Sequence, residues 1–598
     1  VINKATSILN KVFGYHEFKP LQKEIVANVL EKKDTLVIMP TGGGKSLCYQ
    51  LPALIFSGLT VVVSPLISLM KDQVQQLTAL GVKAVCLNSS LDHEEYQSNA
   101  DLVRNGTAKL LYVAPETLLM PKTLDLLDQC NVESLTIDEA HCISEWGHDF
   151  RPDYRKLINL KRRFPNAVCI ALTATATLRV REDIKKNLNI ESSNAFIASF
   201  NRDNLFLEIV NKSDPVPQTI EFLKKFPDQS GIIYCLSRKQ VDELSGTLAK
   251  EGFSVRPYHA GLGEDIRNEN QDSFIRDDVQ IIVATVAFGM GINKPNVRFV
   301  VHYDLPKNIE HYYQEIGRAG RDGLPAHCLM LFSYSDIQKI KFFISQMTNE
   351  QEQLVATLHL TELLGMVETD MCRRIPLLKY FGEVFAADTC DICDNCVNEK
   401  PPLVDITVPA QKFLSCIKRT DETFGISHIT DVLRGSEAQK ILKFRHHLLS
   451  THAIGKEYSK KQWSHLARQF IQKGLIFQDL EHGSLKLTPK AWDVMLGRDT
   501  VMGLIDDSVV PRSKSKRRLE TIDYDHKLFE LLRTQRKTMA DADDVPAFVI
   551  FPDKTLMEMA HSYPKTRSDL LLLHGVGEKK AQKFGETFLA IIKAYRTE

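Results

Sequence analysis

Apolar runs recur through the first part of the chain at Leu36–Met39, Thr60–Val63, Leu110–Val113, Ser134–Ile137 and Val168–Leu172, separated by segments with helical periodicity. Short continuous apolar runs alternating with helices predict a parallel sheet covered on both faces, an α/β fold. The rhythm restarts after residue 200, where Ser230–Cys235, Ser254–Tyr258, Gln280–Ala284, Phe299–His302 and Cys328–Phe332 predict a second parallel sheet. Ligands of such sheets gather at the carboxyl ends of strands. In the first set those ends are chemically unusual: 41–46, Ser64-Pro65, Ala114-Pro115-Glu116, Asp138-Glu139-Ala140-His141 and Thr173-Ala174-Thr175.

The first of these ends carries the most specific signal. Met39-Pro40-Thr41-Gly42-Gly43-Gly44-Lys45-Ser46 lies between a predicted strand and a predicted helix. It reads as a phosphate-binding loop, relaxed at one end because Met39 stands where the usual spacing has glycine. Glycines let backbone N–H groups close on phosphate oxygens, Lys45 supplies positive charge, and Ser46 can ligate Mg²⁺. Asp138, ending another strand, is placed to share that cation, and Glu139 to act as a base on attacking water. His141 has two readings, a relay to Thr173–Thr175 or a satisfied buried histidine. The second sheet has no phosphate loop. It offers instead Gln314–Arg321, with Arg318 and Arg321 at i, i+3 on one helix face. One nucleotide shared between two lobes is the expected arrangement.

Composition narrows the class. At 598 residues the chain is too long for one core. It has 43% hydrophobic and 25% charged residues, as ordinary globular proteins do. Neither a run of eighteen apolar residues nor a secretory-signal pattern is seen, so an intracellular, non-membrane protein is expected. The net charge is zero, so any nucleic-acid contact must come from local patches. Of twelve cysteines, Cys372, Cys390, Cys393 and Cys396 cluster with two C-x₂-C spacings, a full set for tetrahedral zinc. Disulfides are the alternative and conflict with an intracellular setting.

Several motifs together resemble a known family. Met39–Gln50, Val63–Gln73 (VSPLISLMKDQ), Asp138–His141 and Ala171–Ala176 (ALTATA) are similar to superfamily-two helicase motifs, and Ile143–Arg151 (ISEWGHDFR) resembles the aromatic-rich loop of the RecQ family. The resemblance implies two RecA-like lobes, 1–200 and 201–345, a helical zinc-binding subdomain at 346–400, a winged helix at 401–497, a linker at 498–522 and a small all-helical HRDC domain at 523–598. It implies adenine recognition by Tyr15, Lys19 and Gln22, and an arginine finger at Arg321 with Arg318 beside it. Trp146, His148, Phe150 and Arg151 would meet unpaired bases, which stack on rings without sequence preference; core packing is the plainer reading of the rings. Ser64 and Lys71 in lobe one and Arg238 in lobe two are candidate grips on phosphates. Arg434 belongs to the expected DNA-facing turn, while His482 at the hairpin tip is a duplex contact or a solvated turn residue. The stretch Pro511–Arg518 carries basic residues and no acidic one, as a spacer or a phosphate contact.

The resulting expectation is an ATP-dependent DNA helicase using ATP, Mg²⁺ and Zn²⁺. It would move 3′ to 5′ on single-stranded DNA and open forked or branched substrates in recombination and repair. A single-stranded-DNA-binding protein and a topoisomerase are expected partners, and the cytoplasm or nucleoid the setting if the source is bacterial. The alternatives are an RNA helicase and an ATP-gated DNA-binding protein that never separates strands. The ATP site is complete before residue 400, so the last domain is expected to act as a separable second DNA contact.

Overall fold

The computed structural model describes residues 2–147, 151–289, 294–398, 403–479, 483–505 and 523–597. Lobe one is a seven-stranded parallel sheet of β1 (Thr35–Ile38), β2 (Leu59–Val63), β3 (Ala84–Leu87), β4 (Leu110–Val113), β5 (Val132–Ile137), β6 (Val168–Thr173) and β7 (Asn194–Ile197). The order is β3-β4-β2-β5-β6-β1-β7. Pairing of Ile38 with Thr173 and of Ile137 with Ala171 sets the ends of β1, β6 and β5 side by side. Register alone therefore brings the phosphate loop, Thr173–Thr175 and Asp138–His141 to one sheet edge.

Lobe two holds β8 (Leu205–Asn211), β9 (Ser230–Tyr234), β10 (Val255–Tyr258), β11 (Ile281–Ala284), β12 (Val297–His302) and β13 (Ala326–Phe332), ordered β10-β11-β9-β12-β13-β8. The helix Ile309–Ile316 ends before Arg318 and Arg321, which the turn after it carries toward lobe one. The expected shared helix face is not formed, because the helix is capped at Gly317 and the chain turns through Gly320 (φ +56°). β3, β7 and β8 go beyond the strands expected from apolar runs. β7 is largely exposed, and β8 alternates buried and part-exposed positions, so neither forms a continuous apolar run.

One buried cluster runs from Leu36 and Ile137 through Val300 and Tyr313 to Leu364, Phe381 and Cys393. The two lobes and the cysteine module are thus packed on a common core. A separate core around Phe413, Trp463 and Phe470 supports the antiparallel hairpin of β15 (Ile476–Gln478) and β16 (Leu485–Leu487), preceded in the chain by the two-residue strand β14 (Val404–Asp405). This unit is seated on the cysteine module through Arg468, whose Nη2 donates to Glu368 Oε1 (2.6 Å). The last core, around Leu532, Phe551 and Phe588, belongs to the C-terminal helices.

That C-terminal unit does not stand apart. Arg276 pairs with Asp544 (2.6 Å) and Lys537 with Asp278 (2.5 Å) on lobe two. On lobe one Lys579 Nζ donates to the Leu80 carbonyl (3.0 Å). Gly14 (φ +73°) abuts Gly577 so closely that a Cβ would sit 2.6 Å from its nitrogen. The expectation of a separable last domain meets a unit docked across both lobes.

Candidate ATP site and cysteine centre

The phosphate loop turns through Gly42 (φ +83°) and Gly44 (φ +86°), conformations that favour glycine. A Cβ on Gly44 would come within 2.3 Å of Gln22 Nε2. Three side chains rest on the loop: Lys45 Nζ donates to Met39 O (3.0 Å), Lys19 Nζ to Gly42 O (2.8 Å) and Gln22 Nε2 to Gly44 O (3.0 Å). Gln22 Oε1 accepts from the Lys19 backbone N–H (2.8 Å). The glutamine is therefore held against the loop from which it would reach a base. Burial lowers the Lys45 ammonium, while Glu139 and Asp138 oppose that shift and Arg321 adds to it. Those four side chains thus act on one another across one space.

The Asp138–Glu139 turn is built for that space. Glu139 sits at φ +49°, a left-handed conformation that costs a non-glycine residue ~1–3 kcal/mol. Its N–H donates to Asp138 Oδ1 (3.0 Å), and Tyr154 OH donates to the Asp138 carbonyl (3.1 Å). The buried His141 ring places Nδ1 3.3 Å from Glu139 Oε2 and 2.9 Å from Thr173 Oγ1. Thr173 Oγ1 in turn donates to Thr175 O (3.0 Å). Burial would raise the Glu139 carboxyl, but His141 holds it well below the usual range. Burial and the Glu139 charge push Asp138 up. A carboxyl so raised gains most from a nearby divalent cation. The ring is buried and satisfied by Glu139 and Thr173, an arrangement that both readings of His141 share.

From lobe two, Arg321 reaches the loop: a Cβ on Gly42 would lie 3.4 Å from Arg321 Cα. Burial, then Arg318 and Arg202, bring the Arg321 guanidinium down to about 9. Arg318 donates to the Gly289 carbonyl.

The four clustered cysteines converge in space, with all ligand atoms within 4.8 Å of one another. Sγ separations of 3.9 Å (Cys390–Cys396), 4.0 Å (Cys372–Cys393) and 3.4 Å (Cys393–Cys396) match the ~3.8 Å edges of a tetrahedron with Zn–S bonds of ~2.3 Å. All four are free thiols, which excludes the disulfide alternative for this geometry. Arg374 Nη1 donates to Cys390 Sγ (3.1 Å), and the Cys390 backbone N–H donates to Cys396 Sγ (3.4 Å). Such donors stabilise thiolates, so the donor set fits zinc.

Five family models match the chain in succession: DEAD/DEAH box helicase at residues 19–184, helicase conserved C-terminal domain at 214–323, RecQ zinc-binding at 334–397, RQC domain at 400–508 and HRDC domain at 525–592. A relative named ATP-dependent DNA helicase RecQ from Pasteurella multocida (strain Pm70) is 43% identical over 99% of this chain and 94% of its own length. The chain belongs to the RecQ family. The Bacillus subtilis (strain 168) relative of the same name is 40% identical, covering all of this chain and 99% of that one. The RecQ-like DNA helicase BLM of Xenopus laevis is 36% identical across 98% of this chain and 46% of its own.

The remaining expected RecQ-type residues divide. Trp146 is half-buried with the Arg179 guanidinium 3.2 Å from its ring centroid, a cation–π contact unforeseen from the sequence because Arg179 lies on a later helix, Leu178–Leu188, outside the motifs. Arg151 Nη1 donates to Pro65 O (3.2 Å), tying this loop to the end of β2. His148, Phe150 and His482 lie outside the described residues. Lys71, Arg238 and Arg434 are exposed, as phosphate grips must be. Ser64 is only 2% exposed, because strand β2 is central and Pro65 is capped by Arg151; its hydroxyl is not presented to a strand here. Tyr15 meets His574 of the HRDC domain, ring centroids 5.6 Å apart. Nothing local in the sequence signals that contact.

Proposed function

We propose that this chain is an ATP-dependent DNA helicase that couples hydrolysis to 3′-to-5′ movement along single-stranded DNA and opens duplexes in recombination and repair. The observation that carries the reading is the seat of Arg321, from lobe two, against Gly42 of the phosphate loop, a Cβ there lying 3.4 Å from Arg321 Cα, beside Lys45 and the Asp138–Glu139 turn. A site assembled from both lobes makes lobe closure and hydrolysis one event.

Residues take the following roles in this reading. Tyr15, Lys19 and Gln22 face the base; Met39 to Ser46 wrap the phosphates. Ser46 and Asp138 would hold Mg²⁺, which when bound offsets phosphate charge. Glu139, kept ionised by His141, accepts a proton from the attacking water. Arg321, with Arg318 beside it, meets charge developing on the transferred phosphate. His141 passes the change at the γ-phosphate to Thr173 and so toward the loop of Trp146, Phe150 and Arg151 on the strand. Lys71 and Arg238, one on each lobe, grip successive phosphates, so closure shortens the distance between grips. Cys372, Cys390, Cys393 and Cys396 would hold a structural Zn²⁺. Units at 1–200, 201–345, 346–400, 401–497 and 523–598 divide this work, with 498–522 connecting the last two.

A single-stranded-DNA-binding protein, a topoisomerase and a nucleoid setting fit the same reading. No described helix is long and apolar enough to cross a membrane. The deciding experiment is strand displacement on matched DNA and RNA forks with either a 3′ or a 5′ tail. ATP-dependent opening of the 3′-tailed DNA fork is expected. Preference for RNA, preference for a 5′ tail, or hydrolysis without displacement each rejects a stated part.

A further inference from the structure

The crossover between lobes, 198–204, joins β7 to β8 and contains one arginine that none of the roles above uses. Arg202 spends its guanidinium on both halves of the ATP site. Nη1 donates to Thr41 O (2.8 Å) in the phosphate loop. Nη2 donates to Ala319 O (3.1 Å) and Gly320 O (2.9 Å), in the turn immediately before Arg321. Nε donates to Asn204 Oδ1 (3.3 Å), and Asn204 Nδ2 holds Gly320 O and Leu324 O, both at 2.8 Å. A planar fork of donors thus bonds one lobe's phosphate loop and the other lobe's finger turn at once, a geometry that an ammonium cannot reproduce.

The backbone beneath Arg202 is immobilised. Arg374 Nη2 donates to Arg202 O (3.0 Å) and Leu205 O (2.8 Å), and its Nε to Asn201 Oδ1 (2.8 Å). The Glu383 carboxylate accepts from Ser199 Oγ (2.6 Å) and Phe200 N–H (2.7 Å). Phe200 stacks on Phe381 with centroids 4.5 Å apart and planes 8° from parallel. With its base fixed, the side chain serves to register the Thr41 peptide against the Ala319–Gly320 turn. All three of its guanidinium nitrogens are engaged by the chain, so its role is to act through Arg321.

We propose that Arg202 is a positioning residue for ATP hydrolysis, locking the phosphate loop to the turn that presents Arg321. The proposal rests on the reading of this cleft as an ATP site. A shift of the Thr41 peptide on phosphate binding or release is passed through one guanidinium to the finger.

The test uses the full chain with saturating single-stranded DNA, measuring steady-state ATP turnover and equilibrium binding of a non-hydrolysable ATP analogue. Arg202→Ala is expected to lower kcat by about 30-fold or more while the analogue's affinity stays within about threefold, since a finger misplaced only in the transition state costs rate and not binding. Arg202→Lys, which keeps charge and most of the volume, is expected to lose kcat in the same way. Guanidinium ion at tens of millimolar is expected to return at least about fivefold of the Arg202→Ala rate and none of the Arg202→Lys rate, because the lysine fills the vacated space. Unchanged kcat in both variants overturns the proposal. So does a parallel loss of affinity and rate, or a loss of thermal stability that guanidinium leaves unrepaired. Lys45→Ala separates the two levels: if wild-type turnover survives that change, the ATP-site reading itself has failed, whatever Arg202 does.

Discussion

Arg321 is held where positive charge is crowded. Burial together with Arg318 and Arg202 brings its pKa down to about 9, and Lys45 faces it across the phosphate loop. Like charges gathered in a partly buried space destabilise the empty site and favour an incoming anion. Removing one of them relieves that repulsion, so Arg321→Ala is expected to leave the nucleotide-free protein at least as heat-stable as the wild type. Turnover is expected to fall by about 10³-fold or more, because a finger stabilises charge that appears only in the transition state. Analogue binding is expected to change by less than about threefold in the same variant. A melting curve, a binding titration and a steady-state rate decide it; equal losses in affinity and rate would make Arg321 an ordinary binding arginine. Residues of this kind were legible in the sequence because each phosphate-handling group sits in a contiguous motif, at a strand end for Lys45, Asp138 and Glu139 and just after the helix Ile309–Ile316 for Arg321. Arg202 was not: its partners Thr41 and Ala319 lie 161 and 117 residues away, and no local spacing encodes such a bond.

Among the elements, β8 shows best how the cysteine module enters the motor. β8 ends its sheet, and an open edge leaves backbone groups unpaired. The cysteine loop covers it: Leu207 bridges Cys393, Asp394 Oδ2 accepts from Ile209 N–H (3.0 Å), and Arg373 Nε pairs with Asp394 Oδ1 (2.9 Å). Arg374 continues from Cys390 Sγ to the crossover carbonyls. Zinc binding of this kind can contribute ~10–16 kcal/mol to folding, and these bonds would carry its effect to β8 and the crossover 198–204. Stripping the metal with a chelator is expected to speed amide exchange at Phe200, Leu207 and Ile209, while β1 amides stay protected. Metal analysis of the untreated protein should give about one zinc per chain. Uniform loss of protection in both lobes, or none near residue 200, would reject this coupling. The cysteine spacing announced the metal; its seat on β8 was hidden, because an alternating edge strand carries little apolar signal. The central strands, buried on both faces, were plain for the opposite reason.

At the scale of the whole molecule, the HRDC domain bridges the lobes whose relative motion the proposed mechanism needs. Lys537 Nζ donates to Arg276 O (2.7 Å) and Arg533 Nη2 to Asp228 O (3.3 Å) on lobe two, and the buried Arg536–Asp553 pair acts on Asp277 and Lys294. Its ion pairs with lobe two have exposed members: Lys537 and Asp278 side chains are 31% and 49% accessible, Arg276 and Asp544 33% and 83%. Such pairs are worth ~0–1 kcal/mol each and are screened by salt. These pairs are therefore the salt-sensitive part of the docking, and the covalent tether adds the effective concentration that keeps it occupied. On lobe one the domain sets His574 against Tyr15, and Lys554 close enough to Lys19 to lower its pKa alongside burial and Arg202. A chain ending at residue 505 retains every group of the ATP site, so it is expected to hydrolyse ATP. With the bridge removed, its rate in the absence of DNA should exceed that of the full chain by about threefold to tenfold, the span of a ~1 kcal/mol restraint on lobe motion. Lys537→Glu, far from the nucleotide, should raise the same rate, and adding Asp278→Lys should lower it again by restoring opposite charges. Raising salt from about 50 to about 300 mM should bring the full chain toward the truncated one. The measurement is DNA-free ATP turnover of the four proteins across that range. Equal rates at low salt, or a charge reversal that the second substitution fails to correct, would mean that the docked domain does not restrain the motor.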